Sequence, residues 1–458
     1  MHINRRNLLR TAAGTGAAAF WADADLQAYQ GHVNTNSKPS ELKITDMRIA
    51  VVQGAPMTCP LIRIDTNQGL YGLGEVRDGA SKNYALALKR LLLGENPCNV
   101  DKLFRKIKQF GFHARQAGGV CGAEMALWDL AGKAYNVPVY QMLGGKFRDR
   151  IRLYADTDSS TDASVMAARV KERRDRGFTW LKMDVGVGLV SKIPGTVTQP
   201  LGLTPREAFM TPHMFTGMEL TNKGVELMAE YVGKVREGLG YDVPLAADHF
   251  GHIGLNSCIR LAKALEKYNM AWLEDMIPWQ NTELLKKITD SVDIPILTGE
   301  DIFLKEPFIE LAKAHAVDIL HPDLASSGGI LETKKIGDAI QEFGVPMAMH
   351  FAGTPVSCMA NVHCAAATEN FLTLEFHSAD VPWWEDMVNG IPKPIVDKGF
   401  ITVPSAPGLG VTLNDDVVKK HLHPEHPAYF APTPEWDKDR TNDRLFSFTG
   451  FDGPNGRG

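Results

Sequence analysis

The sequence predicts a (β/α)7β TIM-type barrel preceded by an N-terminal α+β capping domain, and three observations carry that prediction. First, short apolar runs end in polar residues at an even beat. Asp248, Glu274 and Glu300 lie 26 residues apart, and Asp323, His350 and Glu375 follow at intervals of 23, 27 and 25. One strand, one helix and two loops take about that many residues in such a barrel, where functional groups collect at the C-terminal strand ends. Second, residues 42–53 and 61–66 largely alternate apolar and polar side chains. Asn67-Gln68-Gly69 and Gly72-Leu73-Gly74 supply turns, the pattern of an antiparallel meander. Third, at 458 residues, 44% hydrophobic and 22% charged, the chain has globular composition and the length of a barrel plus a smaller partner.

Residues 1–36 stand apart. Asn4-Arg5-Arg6-Asn7-Leu8-Leu9-Arg10 is a twin-arginine pattern, an Ala-rich stretch follows over 11–20, and Ala22-Asp23-Ala24 offers small residues for cleavage. This reads as a twin-arginine export signal with its linker and implies a periplasmic enzyme. The capping domain is expected over 41–148. It combines the meander with helical patterns at 83–93, at 100–110 and from Gly122 onward, and Gly144-Gly145 marks its exit. The barrel is expected over 151–398, with its first two strands at 151–155 and 179–184. A Gly- and Pro-rich insertion at 185–220 then interrupts the beat. The 66 residues from Lys182 to Asp248 exceed the usual interval by about 40, and an insertion that long in a barrel is functional or disordered. Residues 399–458 are expected to return to the capping domain and finish as an extended arm.

The formal net charge of −5 favours neither nucleic acid nor an anionic membrane, and no apolar run approaches the ~18 residues of a membrane span. Cys59, Cys98, Cys121, Cys258, Cys358 and Cys364 are scattered without CxxC spacing. Export would permit disulfides, but buried free thiols are the expectation.

The chemistry follows from the phase of the polar residues. Three carboxylates aimed at one axis repel one another unless a hard cation lies between them. Mg²⁺ takes few protein carboxylates and leaves positions for water or substrate oxygens. Asp248, Glu274 and Glu300 are therefore the candidate metal ligands. Asp323 and His350 would end adjacent strands, where a carboxylate can hydrogen-bond an imidazole and raise its basicity. Lys182 and Asp184 are two residues apart on a strand and share a face.

Residues 117–133 (AGGVCGAEMALWDLAGK) and 137–145 (VPVYQMLGG), upstream of this acidic triad, resemble the first signature of the mandelate racemase/muconate lactonizing branch of the enolase superfamily. The likeness runs from about residue 41 to 420. It implies Mg²⁺ on Asp248, Glu274 and Glu300 at the third, fourth and fifth strands, a His350–Asp323 dyad as base, and Glu375 at the eighth strand holding a substrate carboxylate. The shared reaction is removal of the proton α to that carboxylate, with the metal offsetting the charge that develops.

Two departures bear on the reaction. Where the branch often carries Lys-x-Lys on the second strand, this chain has Lys182-Met183-Asp184. Lys182 can orient a carboxylate, but the position of the second base is an Asp. A carboxylate beside a cation is a weak base, and one strong base suits loss of water better than racemisation. The expectation is dehydration of a sugar acid to a 2-keto-3-deoxy acid. An epimerase or cycloisomerase of a similar acid is the alternative, and a non-catalytic sugar-acid binding protein a third reading. The second departure is Phe250, where several dehydratases of the branch place an acid His two residues after the first metal Asp. His249, His252 or His350 itself is left as the acid, with His252 placed to reach in from beyond the strand end. Specificity is expected from loops 53–60, 77–83 and the 185–220 insertion, with Arg77, His213, Trp383 and Trp384 as candidate contacts to a sugar. By analogy with its relatives the chain is expected to form a homo-oligomer.

Overall fold

The computed structural model describes residues 37–199, 218–248 and 253–438. The export signal expected over 1–36, much of the insertion, and His213, His249, Phe250 and His252 lie outside the described residues.

Eight parallel strands form the barrel: Arg150–Ala155, Leu181–Asp184, Leu245–Asp248, Leu273–Glu274, Ile296–Thr298, Ile319–Leu320, Met347–Met349 and Phe371–Phe376. Each pairs with the next, and Leu374 opposite Leu153 closes the ring. Helices separate successive strands up to the eighth, so the expected (β/α)7β order is the one that forms. Inside the barrel, Tyr154, Ala246, Trp272, Leu297, Ile319 and Ala348 make a closed apolar layer. Strand side chains repeat with a period of two. The next inward position on the same strands therefore holds Asp156, Asp248, Glu274, Gly299, His321 and His350. A dry apolar floor thus supports a polar layer one pleat above it, and the strand register sets both.

The cap is a three-stranded antiparallel sheet of Ile44–Val52, Cys59–Thr66 and Tyr71–Glu75, covered by the helix Ala114–Tyr135. Strand and helix touch backbone to backbone. A Cβ on Gly72 would lie 2.1 Å from the Ala126 carbonyl oxygen, and one on Gly74 2.0 Å from that of Gly122. This approach carries the chain leaving the sheet past Gly118, whose added Cβ would fall 2.6 Å from Arg77 Cβ, and so delivers Arg77 to the barrel mouth.

Two buried acids of the same helix tie the parts together. Asp129 accepts from the Leu73 N–H at 2.9 Å and the Leu409 N–H at 2.8 Å. Glu124 accepts from the Ile330 N–H at 2.7 Å, the Leu331 N–H at 3.0 Å and the Trp128 indole N–H at 2.6 Å. It thereby caps a barrel helix from the other domain.

The C-terminal return differs in part from expectation. Phe400–Thr402 pairs antiparallel with Arg150–Arg152 of the first barrel strand. The second barrel strand reaches the first only at Ala155, which leaves the backbone groups before it to be satisfied. Only from Gly408 does the chain dock on the cap helix, and the arm then bridges to the first cap strand at Leu422 and Tyr429. The six cysteines are unpaired, and all but Cys98 are buried. No helix among the described residues is long and apolar enough to cross a membrane.

Replacing Glu124 by Ala leaves two backbone N–H groups and an indole N–H buried without an acceptor, which costs about 3 kcal/mol. Denaturant unfolding of Glu124→Ala checks this, and a loss under about 1 kcal/mol contradicts the tie.

Candidate active site

A cavity of about 910 Å³ opens at the C-terminal ends of the strands. Asp184, Asp248, Asp275 and Glu300 line it from the barrel, Ser159, Ser160 and Trp279 from its loops, and His113 from the cap.

The acids do not all gather as the sequence predicts. Carboxylate oxygens of Asp248, Glu274 and Asp275 lie within 4.8 Å of one another. Glu300 lines the same cavity, but its carboxylate turns to the imidazole of His350, 3.0 Å away, and to Arg77 at 3.3 Å. Asp275 adopts a left-handed backbone conformation with φ 49°, which Asp tolerates better than most residues. That turn ends the strand alternation, so two successive carboxylates reach one site. Burial, then the neighbouring charge of Asp248, pushes the Glu274 carboxyl well above its ordinary range. Burial, then Glu300 and Glu274, does the same to Asp275. Buried oxygen donors crowded in this way, with Glu274 Oε1 left without a well-directed hydrogen bond, fit a hard divalent cation. The Trp272 indole N–H donates to Glu274 Oε2 at 3.0 Å, and His321 Nδ1 lies 3.0 Å from Oε1. These contacts hold the carboxylate plane from below.

The expected dyad is formed. His350 Nδ1 meets Asp323 Oδ2 at 2.5 Å across the sixth and seventh strands. Asp323 also accepts from the Ala325 N–H and pairs with Arg77, so its orientation is fixed from three sides. Burial opposes a charge on His350. Glu300, then Glu375 and the Asp323 bond, favour that charge against Arg77, and the pKa rises to about 9. Cationic charge brought to these acids would lower that value and free the imidazole as a base.

Lys182 is buried, with Nζ 2.6 Å from Glu375 Oε1 and 2.9 Å from Asp248 Oδ2. Burial opposes its charge, but Asp248, Glu274 and Glu375 more than offset this and hold its pKa well above the ordinary lysine value. Glu375, on the eighth strand, lies between Lys182 and two imidazoles, His350 at 3.6 Å and His377 at 3.1 Å. Asp184 lines the cavity wall.

The remaining sequence candidates divide. Trp384 is buried and donates its indole N–H to the Gly353 carbonyl at 2.8 Å, so it packs rather than faces a ligand. Trp383 stacks on His421 at 3.6 Å. Arg77 is fully buried among Asp78, Glu300 and Asp323, which gives it to the dyad rather than to sugar hydroxyls. Sequence reasoning passed over Asp275, His321, His377 and Asp156. His321 and His377 carried a signal, since each lies two residues from an assigned group, Asp323 or Glu375, on the same strand face.

Comparison with known proteins agrees with this geometry. The family model for the mandelate racemase/muconate lactonizing enzyme N-terminal domain matches residues 31–144, and the enolase C-terminal domain-like model matches 165–417. The chain belongs to the mandelate racemase/muconate lactonizing enzyme family. It is 33% identical to a D-xylonate dehydratase of Haloferax volcanii over 83% of its length and 89% of that protein. It is 27% identical to a D-galactonate dehydratase of Verminephrobacter eiseniae, over 82% of this chain and 94% of that one. A mandelate racemase/muconate lactonizing enzyme-like protein from Rubrobacter xylanophilus superposes with a TM-score of 0.75 at 31% identity, covering 85% of this chain and 99% of that structure.

The choice of third ligand is testable by Mn²⁺ binding followed by electron paramagnetic resonance. Asp248→Asn and Glu274→Gln should each weaken binding at least ~10-fold, as loss of a charged ligand does. If the acids keep the arrangement seen here, Asp275→Asn weakens it comparably and Glu300→Gln less. The reverse order would show that Glu300 swings to the metal and Asp275 does not bind it.

Proposed function

We propose that this chain is a Mg²⁺-dependent hydro-lyase that dehydrates a sugar acid to a 2-keto-3-deoxy acid. The observation that carries the reading is an asymmetry of bases. Among the described residues, the imidazole–carboxylate pairs His350–Asp323 and His377–Asp156 lie together on one side of the acidic cluster. The opposite wall offers Lys182, whose ammonium is engaged by Glu375 and Asp248, and Asp184, a carboxylate. Racemisation or epimerisation at one carbon needs a competent base on each face. Elimination needs one base and a leaving group on the neighbouring carbon. The names of the relatives support the same reading, since they act on a pentonic and a hexonic acid.

The chain's residues divide the work. Asp248 and Glu274, with Asp275 or Glu300, would hold the cation. A dication there supplies positive charge against the negative charge that develops on the substrate carboxylate. Lys182 presents an N–H to that carboxylate. Glu375, held ionised by Lys182 and the imidazoles around it, has no proton to donate and instead orients those N–H groups at the acid end. His350 takes the C2 proton, and Asp323 with Arg77 holds its ring in place. The cap contributes His113 to the cavity wall.

The test is formation of 2-keto-3-deoxy acid from a panel of pentonic and hexonic acids by the Mg²⁺-loaded mature protein. At least one acid should turn over, and His350→Asn should lower that rate by ~10³-fold or more. Exchange of the C2 proton without release of water across the panel would replace this reading by an isomerase.

We also propose export to the periplasm by the twin-arginine route, on the strength of Arg5-Arg6 and the Ala-rich stretch behind them. Fractionation of cells expressing the Arg5→Lys, Arg6→Lys double variant checks it. The variant should remain in the cytoplasm while the unaltered chain reaches the periplasm, and equal distribution of the two contradicts the proposal.

A further inference from the structure

Dehydration needs a donor for the departing hydroxyl as well as a base for the C2 proton. The eighth strand carries a side chain placed for that work. His377 lies just past the end of that strand, two residues beyond Glu375, and its ring turns to the same cluster. Its Nδ1 lies 3.1 Å from Asp156 Oδ2, a contact from the first strand that mirrors Asp323 on His350. Its ring centre is 5.9 Å from that of His350, on the neighbouring strand. The two imidazoles lie side by side behind the cavity wall formed by Glu300, over a span that fits groups on adjacent carbons. Nε2 of His377 is buried 3.1 Å from Glu375 Oε1 but makes no well-directed hydrogen bond, which leaves its proton available. The His377 side chain is 16% exposed, against 7% for His350, so it is the more open of the pair. Burial opposes a charge on His377, but Asp156 and then Glu375 raise its pKa well above the ordinary imidazole value.

We propose that His377, oriented by Asp156, is the catalytic acid that protonates the C3 hydroxyl as it leaves, while His350 removes the C2 proton from the same face. The proposal rests on the dehydratase reading above. The electrons of the C2–H bond become the C2–C3 double bond. The C3–O bond breaks with its pair on oxygen, which departs as water with the His377 proton. The enol then takes a proton at C3 and loses one from the C2 hydroxyl to give the 2-keto-3-deoxy acid. The site resets when His350 releases its proton and His377 regains one.

The experiment compares the full Mg²⁺-loaded protein with its His377→Gln variant on the sugar acid that the wild type dehydrates and on the 3-deoxy-3-fluoro analogue of that acid. Fluoride leaves without a proton. His377→Gln should lose dehydration of the hydroxy acid by ~10²-fold or more, keep exchange of the C2 proton with D₂O, and release fluoride within a few-fold of the wild type. His350→Asn should lose all three. Asp156→Asn should follow the pattern of His377→Gln with a smaller loss, and it serves where that variant does not fold. Undiminished dehydration by His377→Gln overturns the proposal, and so does loss of fluoride release together with dehydration, which would make His377 a positioning residue. A wild type that yields no keto acid overturns the dehydratase reading and this proposal with it, whereas wild-type turnover with an unaffected His377→Gln overturns this proposal alone.

Discussion

The structure depends on one electrostatic constraint: a ring of carboxylates, most of them buried, gathered at the mouth of a closed barrel. Asp156, Asp248, Glu274, Asp275, Glu300, Asp323 and Glu375 converge on a space that Lys182, Arg77 and the imidazoles only partly neutralise. Burial and mutual repulsion drive Glu274 and Asp275 towards the protonated form. Glu300 and Glu375, which touch His350, Arg77 and Lys182, are held ionised despite their burial. Crowded acids of this kind suit the dication proposed above.

The cap is part of that balance. Arg77 reaches the dyad only because Gly72, Gly74 and Gly118 let a strand and the loop beyond it lie directly on the helix Ala114–Tyr135. Glu124 of that helix caps a barrel helix, and Asp129 holds both the third cap strand and the C-terminal return. The proposed base thus rests on a domain contact: His350 belongs to the barrel, Asp323 orients it, and Arg77 from the cap holds Asp323.

Much of this was legible in the sequence because a barrel repeats. Each strand end falls at a fixed interval, so Asp248, Glu274, Asp323, His350 and Glu375 declared themselves by phase. The parity of a strand placed Lys182 and Asp184 on one face. What escaped was set by features that phase does not carry. The left-handed turn at Asp275 brings a second consecutive acid into the site, and no spacing rule foresees it. Glu300 keeps its predicted address but turns to His350 and Arg77, a rotamer choice governed in part by a neighbour 223 residues away in sequence. His321 and His377 obey the two-residue rule that placed Lys182 and Asp184. Phe400–Thr402 joined the barrel because the first strand begins before its neighbour reaches it, a mismatch of strand lengths that only the assembled ring reveals.

The most direct test of the central claim is a calorimetric titration of the metal-free protein with Mg²⁺, with the unfolding midpoint recorded in parallel. The account predicts one dication per chain and a midpoint that climbs with Mg²⁺ concentration, as linkage requires for a ligand of the folded state alone. The absence of binding heat, with an unmoved midpoint at millimolar Mg²⁺, would mean that the buried acids are balanced by their own lysine, arginine and histidines, and would contradict the account.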